Sequence, residues 1–199
     1  VIPAVEALHA RLDIAISVDT WRASVLSAAC EAGALVGNDI SGFADPEYLS
    51  VAARHKVSVV ATHIRLAPRV PDPDPHYDDL VSDVLAQLLD RAERAESAGL
   101  DPDQIAVDAG LDLGKTPAMS AMLLRESGVL AATGYTLLLS ASNKRFLGDL
   151  LGLDIDQRRE ASLAAVAYGV AHGCRIVRVH DVAGSVQVCR AIEAIQNSL

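Results

Sequence analysis

Six short apolar runs recur along the chain, and each closes on a polar residue. They are Ala15–Thr20 (AISVDT), Leu35–Ile40 (LVGNDI), Val57–His63 (VSVVATH), Ile105–Gly110 (IAVDAG), Thr136–Lys144 (TLLLSASNK) and Ile176–Asp181 (IVRVHD). Their apolar parts lack strict alternation, the pattern of parallel strands covered on both faces. Helical spacing fills the intervals: residues 2–11, Trp21–Ala32 up to Gly33, a stretch from about Pro46, Asp78–Ala98 closed by Gly99, and Thr116-Pro117 to near Gly134. Two further helices are predicted, one capped by Asp156 and running through His172, the other from about Ser185 to Ile195; Phe146–Leu151 reads as a short turn. Prolines at the first turn and glycines past the last mark several of these ends. Ile64–Tyr77 carries Pro68, Pro71, Pro73 and Pro75 and so excludes helix or central strand. It is either a solvated connection or a lid.

The repeating unit is therefore strand–helix. In folds of that kind ligands bind at the carboxyl ends of the strands, where this chain places Asp19, Asn38, His63, Asp108, Lys144, Arg178 and His180. A doubly wound sheet should open on a glycine-rich turn, whereas Asp19-Thr20-Trp21-Arg22 contains no glycine. A polar residue at the end of every strand matches a (β/α)8 TIM barrel instead. Such barrels take about 250 residues, and the opening residues Ile2, Val5 and Leu8 already follow a helical spacing. The expectation is a single domain over residues 1–199, a barrel truncated to about six units and lacking the first two.

Composition narrows the function classes. Apolar residues make up 51% and aromatics 4%, so the core must be built from Ala, Val, Leu and Ile. The formal charge of −9 argues against nucleic acid or an anionic membrane as partner; an anionic ligand would need a local cation cluster. No apolar run approaches the roughly 20 residues of a membrane span and no signal-peptide pattern is present, and the expected location is the cytoplasm. Cys30, Cys174 and Cys189 are odd in number and widely spaced, as reduced small residues would be.

The rim residues carry several kinds of chemistry. Arg178 and His180 are two apart on a strand and so share a face, where a guanidinium fork and an imidazole would cradle phosphate or pyrophosphate; the alternative is an Arg paired to a helix carboxylate and a capping His. Asp108 at a buried strand end would accept from an N–H/NH2 edge such as that of guanidine, guanine or pterin, or cap its own turn through Gly110. Asn38 and Asp19 could complete the recognition of a heterocycle. Lys144 would be a Schiff-base former or a cationic donor. No Cys/His pair has metal-ligand spacing and no G-x-S-x-G elbow occurs, so no metal site is assigned.

Taken in order, Ser17-Val18-Asp19-Thr20, Asn38-Asp39-Ile40, His63, Asp108-Ala109-Gly110 with Gly114-Lys115-Thr116, Ser142-Asn143-Lys144 and Arg178-Val179-His180-Asp181 resemble dihydropteroate synthase across essentially the whole chain. The resemblance implies a (β/α)8 barrel, usually dimeric, that joins p-aminobenzoate to a pterin methyl pyrophosphate in folate synthesis. By position, Asp19, Asn38, Asp108 and Lys144 would hold the pterin, with His63 also assigned to substrate. Ser142 would lie near p-aminobenzoate, and Arg178 and His180 would hold the departing pyrophosphate, assisted by magnesium carried on it. The chain departs from the family pattern at Ala109 (proline), Leu113 (an aromatic), Asn143 (arginine) and Ser140 (glycine), as in a divergent second copy of the actinobacterial type. Losing the aromatic removes a stacking partner worth roughly 0.5–1.5 kcal/mol. Three readings stay open: a synthase, a non-catalytic paralogue that binds a pterin or another ligand, and a pterin-dependent methyltransferase. The last has no need of a pyrophosphate cradle.

Overall fold

The computed structural model of the chain describes residues 1–198. Strands β1 (Ser17–Asp19), β2 (Val36–Asp39), β3 (Ser58–Thr62), β4 (Ile105–Asp108), β5 (Thr136–Leu139) and β6 (Ile176–Val177) form one parallel sheet in sequence order. Helix α1 (Ile2–His9) precedes β1. The connections carry α2 (Ala23–Glu31), α3 (Tyr48–His55), α4 (Leu80–Ser97), α5 (Pro117–Arg125) with α6 (Ser127–Ala131), and α7 (Arg145–Leu151) with α8 (Arg159–Ala171); α9 (Val182–Gln196) follows β6.

The sheet is strongly curled. Six strands laid flat at about 4.8 Å spacing would put β1 and β6 roughly 24 Å apart. Instead, Arg178 just beyond β6 reaches Asp19 at the end of β1, Nη2 to Oδ2 3.3 Å. Two edge side chains can meet only across the concave face, so the strands form most of a barrel wall, as the strand–helix repeat predicts.

That closure gives the residues two sides. Val59, Ala61, Ile105, Val107, Leu137 and Leu139 point outward and pack with Leu26, Leu88, Ala92 and Leu123 into the main core beneath the helices. Val60, Ala106 and Leu138, with Val36 against them, form a smaller cluster on the concave face. Gly169 permits close approach: a Cβ there would collide with the Leu139 side chain, so α8 packs directly on β5 at this glycine.

Several local expectations are corrected. Phe146–Leu151 lies within a helix, ended by Gly152 in the left-handed conformation (φ 67°). The helix begun at Thr116-Pro117 divides at Glu126. Asp154 rather than Asp156 is the N-cap, and it caps a 3-10 turn (Ile155–Gln157) before α8 starts at Arg159. The last helix begins at Val182, because Asp181 caps it by accepting the Gly184 N–H at 2.9 Å. Among the described residues no helix is long and apolar enough to cross a membrane.

Candidate active site

Laterally paired residues of neighbouring strands point to the same side, as do alternate residues within one strand. Asp19 pairs with Asn38, and Asn38 with Val60. Two residues beyond Val60, Thr62 pairs with Asp108, Asp108 with Leu138, and Leu138 with Ile176. Ser140 and Ser142 follow Leu138 by twos, and Arg178 and His180 follow Ile176 likewise. The register thus sends Asp19, Asn38 and Asp108 to the concave side at the carboxyl ends of the strands, and Arg178, one residue beyond β6, meets Asp19 there.

On the β1–β6 side the bonds are long and wet. Asp19 Oδ2 accepts from Asn38 Nδ2 and from Arg178 Nη2, both at 3.3 Å. The Asp19 and Arg178 side chains are 49% and 59% exposed. The exposed His180 meets Ser142, with Nδ1 and Oγ 2.9 Å apart, and the His180 N–H donates to the same hydroxyl at 3.1 Å. A cleft of about 200 Å³ opens beside this pair, lined by Ser142, Asn143, Arg159 and His180.

Asp108 lies deeper, 6% exposed. Burial pushes its carboxyl up from the usual range, opposed by the Gly110 N–H and by the positive charges of Lys144, Lys115 and Arg178. Its Oδ1 accepts the Gly110 N–H at 2.8 Å, and no donor among the described residues meets Oδ2. Lys144 comes from the neighbouring strand end, beyond β5, and its Nζ donates to the Leu111 carbonyl at 2.7 Å.

His63 is not brought to this mouth. Thr62 takes the concave side, so the next residue turns outward. There His63 is fully buried (0% exposed), its Nδ1 2.8 Å from Lys115 Nζ. The partner belongs to the Gly114-Lys115-Thr116 turn. Lys115 also donates to the carbonyls of Gly110 (2.9 Å) and Leu113 (3.0 Å), tying up the turn that follows Asp108. Burial brings its ammonium down to about 7, and burial together with the Lys115 charge brings His63 down to about 2. The signal for Lys115 was present: a lysine two residues after an aliphatic and one after a glycine (φ 61°) in a turn closing on a strand-end carboxylate.

The proline-rich segment lines a larger cleft of about 490 Å³ with Leu113, Gly114 and Lys115. It is fastened at three points: an Arg65–Asp72 ion pair, Tyr77 Oη donating to the Gly114 carbonyl at 2.9 Å, and the Arg69 guanidinium 5.2 Å from the Trp21 ring centre. Among the described residues no cluster of three His, Cys, Asp or Glu side chains could hold a metal.

With this geometry the comparisons with known proteins agree. The family described as pterin binding enzyme matches residues 1–180. The chain belongs to that family. It is 38% identical over 198 residues to a dihydropteroate synthase of Bacillus subtilis, covering 99% of this chain and 67% of that protein. It is 40% identical over 203 residues to an inactive dihydropteroate synthase 2 of Mycobacterium leprae, covering 99% of this chain and 70% of that one. The structure of the Xanthomonas albilineans dihydropteroate synthase in complex with 7,8-dihydropteroate superposes with a TM-score of 0.91 at 36% identity, over 99% of this chain and 72% of that one. The family thus joins synthases with a relative named inactive, and this chain resembles both.

Proposed function

We propose that the protein binds a dihydropterin methyl pyrophosphate at this mouth and condenses it with p-aminobenzoate. The observation that carries the reading is the contrast between a buried acceptor and exposed donors suited to an anion. A buried carboxylate with a free oxygen, Asp108, lies on one flank; Arg178 and the His180–Ser142 pair lie on the other. Asp108 would accept from the N–H/NH2 edge of the pterin, Asn38 and Asp19 would complete its recognition, and Lys144 would donate to its acceptors. As the methylene C–O bond breaks, the bonding pair leaves with the pyrophosphate and positive charge grows on the pterin. Arg178 and His180 would stabilise the anion and Asp108 the cation, an electrostatic contribution that needs no strong base. The aniline nitrogen then forms the new C–N bond and releases its proton. A guanidinium, an imidazole and a hydroxyl suit the anion, not a hard cation that prefers oxygen ligands. Magnesium would therefore be carried on the pyrophosphate itself.

A second reading, ligand binding without turnover, is favoured by two side chains. Leu113 offers no ring for stacking, and Asn143 lies against Ser162 of α8, whose Oγ donates to Asn143 Oδ1 at 3.4 Å. Calorimetric titration with pterin pyrophosphate, bare pterin and methyltetrahydrofolate separates the readings. The synthase reading expects the pyrophosphate to bind tightest and dihydropteroate to form when p-aminobenzoate is added. Binding without product supports the paralogue, and preference for the folate supports a methyltransferase. The same reading carries a cytoplasmic homodimer joined through α8, whose Tyr168 and His172 rings stack 4.1 Å apart. Light scattering that finds only monomer at micromolar concentration removes the dimer.

A further inference from the structure

Asp112 lies in the turn between β4 and α5 with its backbone in the left-handed region (φ 66°), a conformation that glycine adopts more easily. Its carboxylate accepts the Phe146 N–H through both oxygens, at 3.2 and 3.3 Å. Ser120 of α5 donates to Oδ1 at 3.3 Å, and the same hydroxyl accepts the Asp112 N–H at 3.0 Å. Phe146 is the second residue of α7, so a carboxylate from another strand's turn meets a backbone donor that the helix leaves open.

Lys144, immediately before α7, reaches back to the carbonyl of Leu111, the residue before Asp112. The two segments are therefore tied twice in opposite senses: lysine side chain to turn backbone, and turn side chain to the backbone after the lysine. From the other side Arg158 donates to the carbonyls of Asn143 (3.2 Å) and Lys144 (3.5 Å). The short segment carrying Ser142 and Lys144 is clamped between Asp112 and Arg158.

We propose that Asp112 is a positioning residue for Lys144, a latch between the Asp108 turn and the start of α7 that fixes the lysine ammonium at the mouth. The geometry stands alone; only the choice of pterin as ligand rests on the function proposed above. Two variants of the intact protein test it. Asp112→Gly removes the carboxylate and relieves the backbone, so its melting temperature should hold or rise. Amide exchange at Phe146 and Leu147 should quicken about fivefold, as when a helix loses a cap, reductive methylation of Lys144 should accelerate, and pterin affinity should fall about fivefold with it. Asp112→Asn keeps an acceptor and tolerates the positive φ, and should retain protection and affinity. Unchanged exchange and Lys144 reactivity in Asp112→Gly overturn the latch. Faster exchange with unchanged Lys144 reactivity makes Asp112 a helix cap only and overturns the positioning role. Lower melting temperature and lower affinity in both variants would mark a merely structural residue. If the unaltered protein binds no pterin, the functional reading falls, and the latch is decided by exchange and Lys144 reactivity alone.

Discussion

The two flanks of the mouth are built differently. On the β4–β5 flank, Asp108, Lys115 and Lys144 are buried or half-buried and bonded at 2.7–3.0 Å to carbonyls, an amide and an imidazole. On the β1–β6 flank, Asp19 and Arg178 are about half exposed and meet at 3.3 Å. Polar contacts excluded from water act at a lower effective dielectric and need little reorganisation when a ligand arrives. Exposed ones are screened and easily exchanged for a ligand's own charges. The first flank is suited to recognising a heterocycle of fixed shape. The second is suited to gripping and releasing an anion.

The most disruptive way to break the contrast is to remove the pin of the buried flank. Lys115→Met leaves the Gly110 and Leu113 carbonyls and His63 without their donor. Unmet buried acceptors cost about 1–3 kcal/mol each, part of which is returned because no charge is buried. A net loss of about 2 kcal/mol should lower the melting temperature by about 4–8 °C in a chain of this size. The pH dependence follows from the same pair. Between pH 6.5 and 2 the unfolded chain takes up a proton that folded His63 refuses, so its contribution is full above 6.5 and falls on acidification. Between about pH 7 and 10.5 the unfolded chain keeps a proton that Lys115 has released, so stability from that group rises with pH. Going from pH 7 to 5 should cost about 2 kcal/mol, and thermal melts of His63→Asn should lose that slope. A slope unchanged in the variant assigns the acid sensitivity elsewhere.

Asp108→Ala and Arg178→Ala test the flanks against each other. The first removes a buried charged acceptor and should weaken bare pterin by about 1.5–3 kcal/mol, roughly ten- to a hundredfold. The second breaks an exposed 3.3 Å pair, so stability should shift by no more than about 0.5 kcal/mol. Its effect should fall on pyrophosphate-bearing ligands, weakened about tenfold while bare pterin is nearly unaffected. Equal losses for both ligands in both variants would abolish the distinction between the flanks.

How much of this was legible follows from the range of each signal. Strand positions and the shared face of Arg178 and His180 come from local apolar runs and a period of two, and both were readable. The same period, applied to Thr62 and His63, sends the histidine outward. The place of His63 at the end of an apolar run points to the rim, but its parity with Thr62 turns it away. Helix α7 was hidden for another reason. One of its first-turn donors meets Asp112, 34 positions earlier, and no local window contains both. The pairing of Lys115 with His63, 52 positions apart, is likewise a product of the parallel neighbours β3 and β4.

The smallest effect concerns the two departures beside the buried flank. Leu113→Phe supplies the ring that the family pattern has in the turn after β4 and should improve pterin affinity by about 0.5–1.5 kcal/mol, the value of an aromatic pair beyond burial. Asn143→Arg is less simple, because position 143 has φ 57°, which asparagine tolerates and arginine pays for at about 1–2 kcal/mol. The new guanidinium also loses the Ser162 contact that Asn143 makes. We therefore expect Leu113→Phe alone to tighten pterin measurably, and the double variant to add dihydropteroate turnover while melting slightly lower. A gain in turnover from the double variant, read against unaltered protein at saturating p-aminobenzoate, shows that these two side chains limit synthesis in this chain. No gain, in a protein that still binds pterin, moves the cause to the exposed flank, where Arg178 is paired with Asp19 at 3.3 Å.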